Sequence, residues 1–107
     1  MNQYRVFKID KFSKIISKLL TKKQQEELNS FIEELKQGKI IGQPLSYEFF
    51  REKKIGDKRV YFLVYKDLKI IFLVNASNKK YQQETIDEIK LMFSDFKKEA
   101  QRIASTL

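Results

Sequence analysis

The segment from Tyr47 to Tyr65, YEFFREKKIGDKRVYFLVY, sets cationic side chains on both sides of a Gly56-Asp57 turn. Glycine at the first turn position suits a two-residue type II′ hairpin, in which Lys54 would lie directly opposite Arg59. Like charges opposite each other destabilise a sheet by a few tenths of a kcal/mol to ~1 kcal/mol. The pair is therefore expected either to hold a phosphate group or to belong to an ordinary surface ion-pair network with Glu52.

The absence of histidine and cysteine limits the chemistry available to the chain. The usual general base, the commonest metal ligand and the thiolate nucleophile are all missing. We therefore expect no metal site and no cofactor. Any catalysis would depend on lysine, arginine, tyrosine and carboxylate side chains.

The net charge of +8 is concentrated in one part of the chain. Residues 49–80 hold nine Lys or Arg and three acidic residues, which is +6 of the total. Such a basic focus favours a polyanionic partner, nucleic acid first. The competing interpretation is a lysine surface that merely keeps the protein soluble.

Several residues near the turn are candidates for contacts with RNA. Lys79 and Lys80 follow the next predicted strand and would supply the second side of a phosphate-binding groove. Tyr61, Tyr65 and Tyr81 are candidate surfaces for stacking unpaired bases, as in single-stranded RNA recognition. The predicted RNA-binding set is Arg51, Lys53, Lys58, Tyr61 and Lys79.

Hydrophobic periodicity predicts the elements that position these residues. A strand over Tyr4–Ile9 precedes two amphipathic helices, with Asp10 as the first N-cap, a capping box at Thr21 and Gln24, and Gly38 ending the second helix. Two strands then flank the turn, and a third strand, LKIIFLVNA, is apolar on both faces and is expected in the middle of the sheet. A final helix runs from about residue 81 to residue 104.

The predicted fold is a single α+β domain over residues 1–107, in the order β-α-α-β-β-β-α. It has an antiparallel sheet of about four strands, an N-terminal helical hairpin and a C-terminal helix, with the helices on one face. Alternation along the strands places Val60, Phe62, Val64 and Phe49 toward the helices. The other face would carry Phe50, Glu52, Lys54, Arg59, Tyr61, Leu63 and Tyr65, in the register Ile55–Lys58, Lys54–Arg59, Lys53–Val60 and Glu52–Tyr61.

No apolar run approaches the ~20 residues needed to cross a bilayer. The N-terminal sequence MNQYRVFKID lacks the apolar region of a signal peptide. We therefore expect a cytoplasmic protein with no membrane partner.

In the order of its elements the chain resembles the RelE/ParE superfamily of toxins from toxin–antitoxin pairs. The resemblance covers nearly the whole chain and includes the connector IGQPL, the hairpin REKKIGDKRVYFLV and the strand IIFLVNASNKK. Its most specific part is the pattern basic, x, Gly, Asp, x, Arg, Val, Tyr, which starts at Lys54. The segment NKKYQQETIDEIK is similar to the lysine-rich segment after the last strand in many members, particularly archaeal ones.

This resemblance implies a ribosome-dependent endoribonuclease that cuts mRNA in the A site and is neutralised by a cognate antitoxin. Family members cleave without metal, by attack of the 2′-hydroxyl on the adjacent phosphate. Lys54 and Arg59 would stabilise the charge on the pentacovalent phosphate, Lys80 would grip a phosphate, and Tyr81 would act as base or stacking group. Glu52 departs from the family pattern, as do lysines in place of an arginine at 79 and 80.

Two other functions compete with the nuclease. One is a catalytically weak or inactive RelE-like module that binds RNA, ribosomes or protein, and the other is a small structural or interaction protein. If RNA phosphate relieves the repulsion at the turn, Arg59→Ala or Lys54→Ala should leave thermal stability unchanged or slightly raised. A clear loss of stability would favour a structural ion-pair network.

Overall fold

A computed structural model describes residues 3–106 of the chain. Its elements are β1 (Arg5–Lys8), α1 (Phe12–Leu19), α2 (Lys22–Lys36), β2 (Gln43–Leu45), β3 (Tyr47–Ile55), β4 (Lys58–Tyr65), β5 (Ile70–Asn78), a 3₁₀ turn (Lys79–Tyr81), α3 (Gln82–Leu91) and α4 (Phe93–Ser105). The α+β class is confirmed, and two consecutive helices, α1 and α2, follow β1 as predicted.

The sheet has five strands in the order β1-β5-β4-β3-β2. Its first strand runs parallel to β5, whereas the other neighbours are antiparallel. The expectation of an antiparallel sheet of about four strands is therefore corrected to a mixed sheet of five. The extra strand, β2, is a three-residue edge strand containing Pro44, which is tolerated there because an edge strand leaves its outer backbone groups unpaired. The interior place predicted for β5 is confirmed.

The β3–β4 hairpin has the predicted register, with Ile55 opposite Lys58, Lys54 opposite Arg59, Lys53 opposite Val60 and Glu52 opposite Tyr61. Gly56 has φ +60°, and Asp57 keeps a negative φ, as a type II′ turn requires. The alternation of side chains along β3 and β4 is thus set by the turn.

Helices cover both faces of the sheet, which corrects the prediction of a single covered face. On one face, α1 and α2 pack over Ile55, Val60, Phe62, Val64, Ile71, Leu73 and Ala76. On the other face, α3 and α4 pack over Phe50, Tyr61, Leu63, Tyr65, Ile70, Phe72 and Val74. Since β4 and β5 are apolar on both sides, either face left open would expose a large hydrophobic surface.

The predicted final helix is two helices that meet at Met92. Met92 N–H donates to Ile89 O, which tightens the chain into a 3₁₀-like turn before α4 begins. The break places Phe93 against Phe49 and Phe50, with ring centroids 5.0 and 5.2 Å apart. Phe49 therefore packs on the α3–α4 side, not on the side of Val60 as predicted.

The starts of α1 and α2 differ in how well they follow the sequence signals. At α2, the Thr21 hydroxyl accepts a hydrogen bond from Gln24 N–H, and the Gln24 side chain accepts one from Thr21 N–H, so the capping box is confirmed. At α1, the N-cap is Lys11 without a side-chain cap, not Asp10. Gly38, with φ +86°, follows the end of α2 as predicted.

Within residues 3–106, no helix is both long enough and apolar enough to cross a bilayer.

Candidate nucleic-acid interface

Five of the predicted cations lie at one end of the sheet, because β4 begins where β5 ends. Lys58 pairs with Asn78, and Arg59 pairs with Ser77. The turn that carries Lys79 and Lys80 therefore lies next to the tip of the β3–β4 hairpin. We call Lys54, Lys58, Arg59, Lys79 and Lys80 the basic end.

Exposure separates these cations from one another. Lys54, Lys79 and Lys80 are exposed, whereas Lys58 and Arg59 are half-buried. Tyr81 is 49% exposed, and the Lys80 ammonium lies 5.5 Å from the centroid of its ring. The basic end therefore presents three exposed ammonium groups and one accessible aromatic ring.

The turn that carries Lys79, Lys80 and Tyr81 is held by a side-chain cap. The Asn78 side chain accepts a hydrogen bond of 3.1 Å from Tyr81 N–H. Such a cap replaces a backbone partner that the first turn of a helix lacks. The backbone that presents Lys80 and Tyr81 is therefore fixed to the end of β5.

Arg59 is engaged by a buried acid on its own face of the sheet. Glu52 is 4% exposed, and its Oε1 lies 3.3 Å from Arg59 Nε. The same oxygen accepts a hydrogen bond of 2.7 Å from Gln82 Nε2, at the start of α3. Arg59 Nε is itself buried and is not aligned well enough with Glu52 for a hydrogen bond. The contact is an ion pair closed over by α3.

This ion pair offsets the charge repulsion that was expected between Lys54 and Arg59. Because Glu52 compensates Arg59, removal of the arginine would leave a buried carboxylate without its counter-ion, which is strongly destabilising. The expectation that Arg59→Ala preserves stability is therefore not supported by the structure. For Lys54, which is exposed, the expectation is unaffected.

Tyr61 is fully buried and offers no ring face to a base, so the structure does not support the stacking role predicted for it. Its hydroxyl lies 2.8 Å from Ser77 Oγ, and the two hydroxyls share a hydrogen bond in which either can be the donor. Burial raises the pKa of Tyr61, the Ser77 hydrogen bond opposes this shift, and the nearby Glu52 carboxylate adds to it. Tyr65 is also buried, and burial raises its pKa to about 12.

The remaining predicted residues point to the opposite face of the sheet, beside α1 and α2. Arg51 donates to Glu48 O at 3.0 Å and to Gly42 O at 3.2 Å, and so secures the connector before β3. The Lys53 ammonium lies 5.4 Å from the ring centroid of Phe31. These two cations are occupied by contacts within the protein.

Lys58 belongs to a chain of contacts that fastens the hairpin tip to α2. Its ammonium lies 2.8 Å from Asp57 Oδ2, while Asp57 Oδ1 accepts a hydrogen bond of 3.1 Å from Gln24 Nε2. The Lys58 and Gln24 hydrogen bonds lower the pKa of Asp57, in that order of effect. The same Gln24 side chain thus serves the capping box and the hairpin.

Sequence reasoning missed Gln82, Ser77 and Gln24 as parts of this region. The alternation of side chains along β3 and β4 already placed Glu52 and Arg59 on one face, so their ion pair could be predicted from the sequence. Gln82 carries no such signal, because its contact with Glu52 spans 30 positions of the chain.

Among residues 3–106, no group of three acidic side chains is arranged to hold a metal ion.

Comparison of the chain with protein-family models, with curated proteins and with solved structures finds no match.

Proposed function

We propose that this protein is the toxin of a toxin–antitoxin pair, of RelE/ParE type, and that it cleaves mRNA on the ribosome. The observation that carries the proposal is the basic end, where Lys54, Lys79 and Lys80 are exposed and the Lys80 ammonium lies 5.5 Å from the ring centroid of an accessible Tyr81. Exposed cations beside an aromatic ring suit the backbone and the bases of a single-stranded RNA.

In this proposal the basic end supplies electrostatics, and the RNA supplies the nucleophile. The 2′-hydroxyl attacks the neighbouring phosphate, a P–O bond to the 5′-oxygen of the next nucleotide breaks, and a 2′,3′-cyclic phosphate forms. Lys54 and Arg59 would stabilise the added negative charge, and Lys80 would hold the scissile or adjacent phosphate. Tyr81 would stack on a base or take part in proton transfer.

A second candidate function is RNA or ribosome binding without cleavage. The Glu52–Arg59 ion pair favours it, because Arg59 already has a counter-ion and its face of the sheet is covered by α3 and α4. Under this function the exposed lysines would bind phosphate, and salt would weaken binding steeply.

Under either function we propose an antitoxin partner with an acidic segment that competes with RNA for the basic end. Such a partner would be expected to bind with a strong salt dependence, because the exposed lysines would be its main contacts.

The test is mRNA cleavage in a reconstituted translation system, with and without ribosomes. Lys80→Ala removes an exposed cation of the basic end without disturbing a contact in the core. Lys39→Ala is the matched control, because Lys39 is exposed just beyond the C-terminal end of α2, whereas Gln24 at the other end of α2 contacts the hairpin tip. Ribosome-dependent cleavage that Lys80→Ala weakens and Lys39→Ala retains would support the toxin. Binding to ribosomes without cleavage would support the second candidate.

A further inference from the structure

The two edges of the Arg59 guanidinium have different surroundings. Nε is buried beside Glu52, whereas within residues 3–106 neither Nη atom makes a hydrogen bond. Since the Nη atoms are not among the buried polar atoms that lack a partner, they reach solvent, which agrees with a side-chain exposure of 12%. The Nε edge of Arg59 therefore lies against Glu52, whereas the Nη edge is available for a ligand.

Glu52 is held in a position from which it contacts only the buried Nε edge of Arg59. Its carboxylate is buried and accepts the Gln82 hydrogen bond, and its backbone lies opposite that of Tyr61 in the hairpin. A carboxylate free to move would follow the guanidinium to the surface and neutralise it there. Here the contact with Gln82 limits that movement and keeps the carboxylate beside the Nε edge of Arg59.

We infer that Glu52 is a positioning residue, which with Gln82 orients Arg59 so that its two Nη groups receive an RNA phosphate at the basic end. A planar guanidinium binds phosphate through two parallel hydrogen bonds, so its orientation affects binding as well as its charge. This inference rests on the proposed function, since it names how that site holds the phosphate. It also gives a physical role to an acid that would otherwise repel RNA.

The variant that tests this inference is Glu52→Gln. Glutamine has the same shape and can still accept the Gln82 hydrogen bond, but it no longer pairs with the guanidinium charge. The control is Glu84→Gln, because Glu84 is an exposed acid in the first turn of α3, and its loss changes the net charge equally. Gln82→Ala is a second variant, which loosens Glu52 without any change of charge.

Two measurements are made on each folded variant. The first is the affinity for a short single-stranded RNA whose 2′-hydroxyls are methylated, so that it cannot be cleaved by 2′-hydroxyl attack. The second is the ¹⁵N resonance of Arg59 Nε during titration with inorganic phosphate, which reports on the guanidinium itself. An Arg59→Lys variant assigns the resonance and retains the charge without the planar fork.

We expect Glu52→Gln to weaken RNA binding about tenfold, which corresponds to the loss of one well-aligned charged contact. Glu84→Gln should bind as tightly as the unmodified protein or slightly more tightly, and Gln82→Ala should fall between the two. In the unmodified protein phosphate should shift the Arg59 resonance, and in Glu52→Gln the shift should be much smaller.

The inference is overturned if Glu52→Gln binds RNA as tightly as Glu84→Gln or more tightly, because Glu52 would then restrain Arg59 from binding. It is also overturned if RNA binds while the Arg59 resonance does not move, and the proposed function would survive that result. If no RNA binds but phosphate shifts the Arg59 resonance in a way that depends on Glu52, the inference stands and the proposed function fails.

Discussion

Replacement of Arg59 by alanine tests whether the cation at the hairpin tip supports the fold. The Arg59–Glu52 separation of 3.3 Å corresponds to an attraction of about 5 kcal/mol at an effective dielectric constant of ~20. After Arg59→Ala, Gln82 still donates to the carboxylate, and water can enter the space left by the arginine. We therefore expect the free energy of unfolding to fall by about 3 kcal/mol, near the lower end of the usual cost of breaking a buried ion pair.

For a domain of this size, that loss lowers the Tm by on the order of 15 °C. Thermal and urea unfolding followed by circular dichroism would measure it. Lys54→Ala is the matched control, because Lys54 lies opposite Arg59 in the hairpin but is exposed, and its loss should change the stability by less than about 0.5 kcal/mol.

The double variant Glu52→Gln with Arg59→Ala should recover part of the loss, since it leaves no unpaired charge in the interior. An Arg59→Ala protein whose Tm equals that of the unmodified protein would refute the reasoning. The repulsion between Lys54 and Arg59, not the ion pair, would then dominate the energetics of the hairpin tip.

Three other perturbations have defined outcomes. Gly42→Ala should lower the free energy of unfolding by about 2–3 kcal/mol, measured in urea, because φ at this residue is +135° and a Cβ would lie 2.9 Å from Phe62 Cζ; an unchanged midpoint would contradict this. Thr21→Ala should cost about 1 kcal/mol by removing the cap on Gln24 N–H, whereas Thr21→Ser should retain most of the stability. Tyr65 ionises near pH 10 when unfolded and near 12 in the fold, so stability should decline as pH rises from 10 to 12. An identical decline in Tyr65→Phe would contradict that assignment.

Short-range signals predicted the elements around the candidate site well. Glycine and aspartate at the hairpin turn determined the register of β3 and β4, and thereby placed Lys54, Glu52 and Arg59 on one face. The capping box at Thr21 was equally local, since its two hydrogen bonds join residues three positions apart. Patterns of this kind depend on a few neighbouring side chains, and the sequence displays them directly.

Which residues are accessible could not be predicted in the same way. Tyr61 belongs to the face that was expected to bind RNA, yet α3 and α4 cover it completely. The apolar stripe of the final helix showed that it must pack against something, but not which face of the sheet it would choose. That choice depends on the turn at Met92 and on the packing of Phe93 against Phe49 and Phe50.

By itself, the sequence determined the class of fold, the hairpin register and the concentration of positive charge, because each depends on local geometry or on composition. Only the tertiary structure decided which cations are available for binding. It left Lys54, Lys79 and Lys80 exposed, occupied Arg51 and Lys53 on the opposite face, and paired Arg59 with a buried acid. The physical reason is that burial and pairing arise where distant segments meet, and the contact between Glu52 and Gln82 exists only once α3 has packed over the sheet.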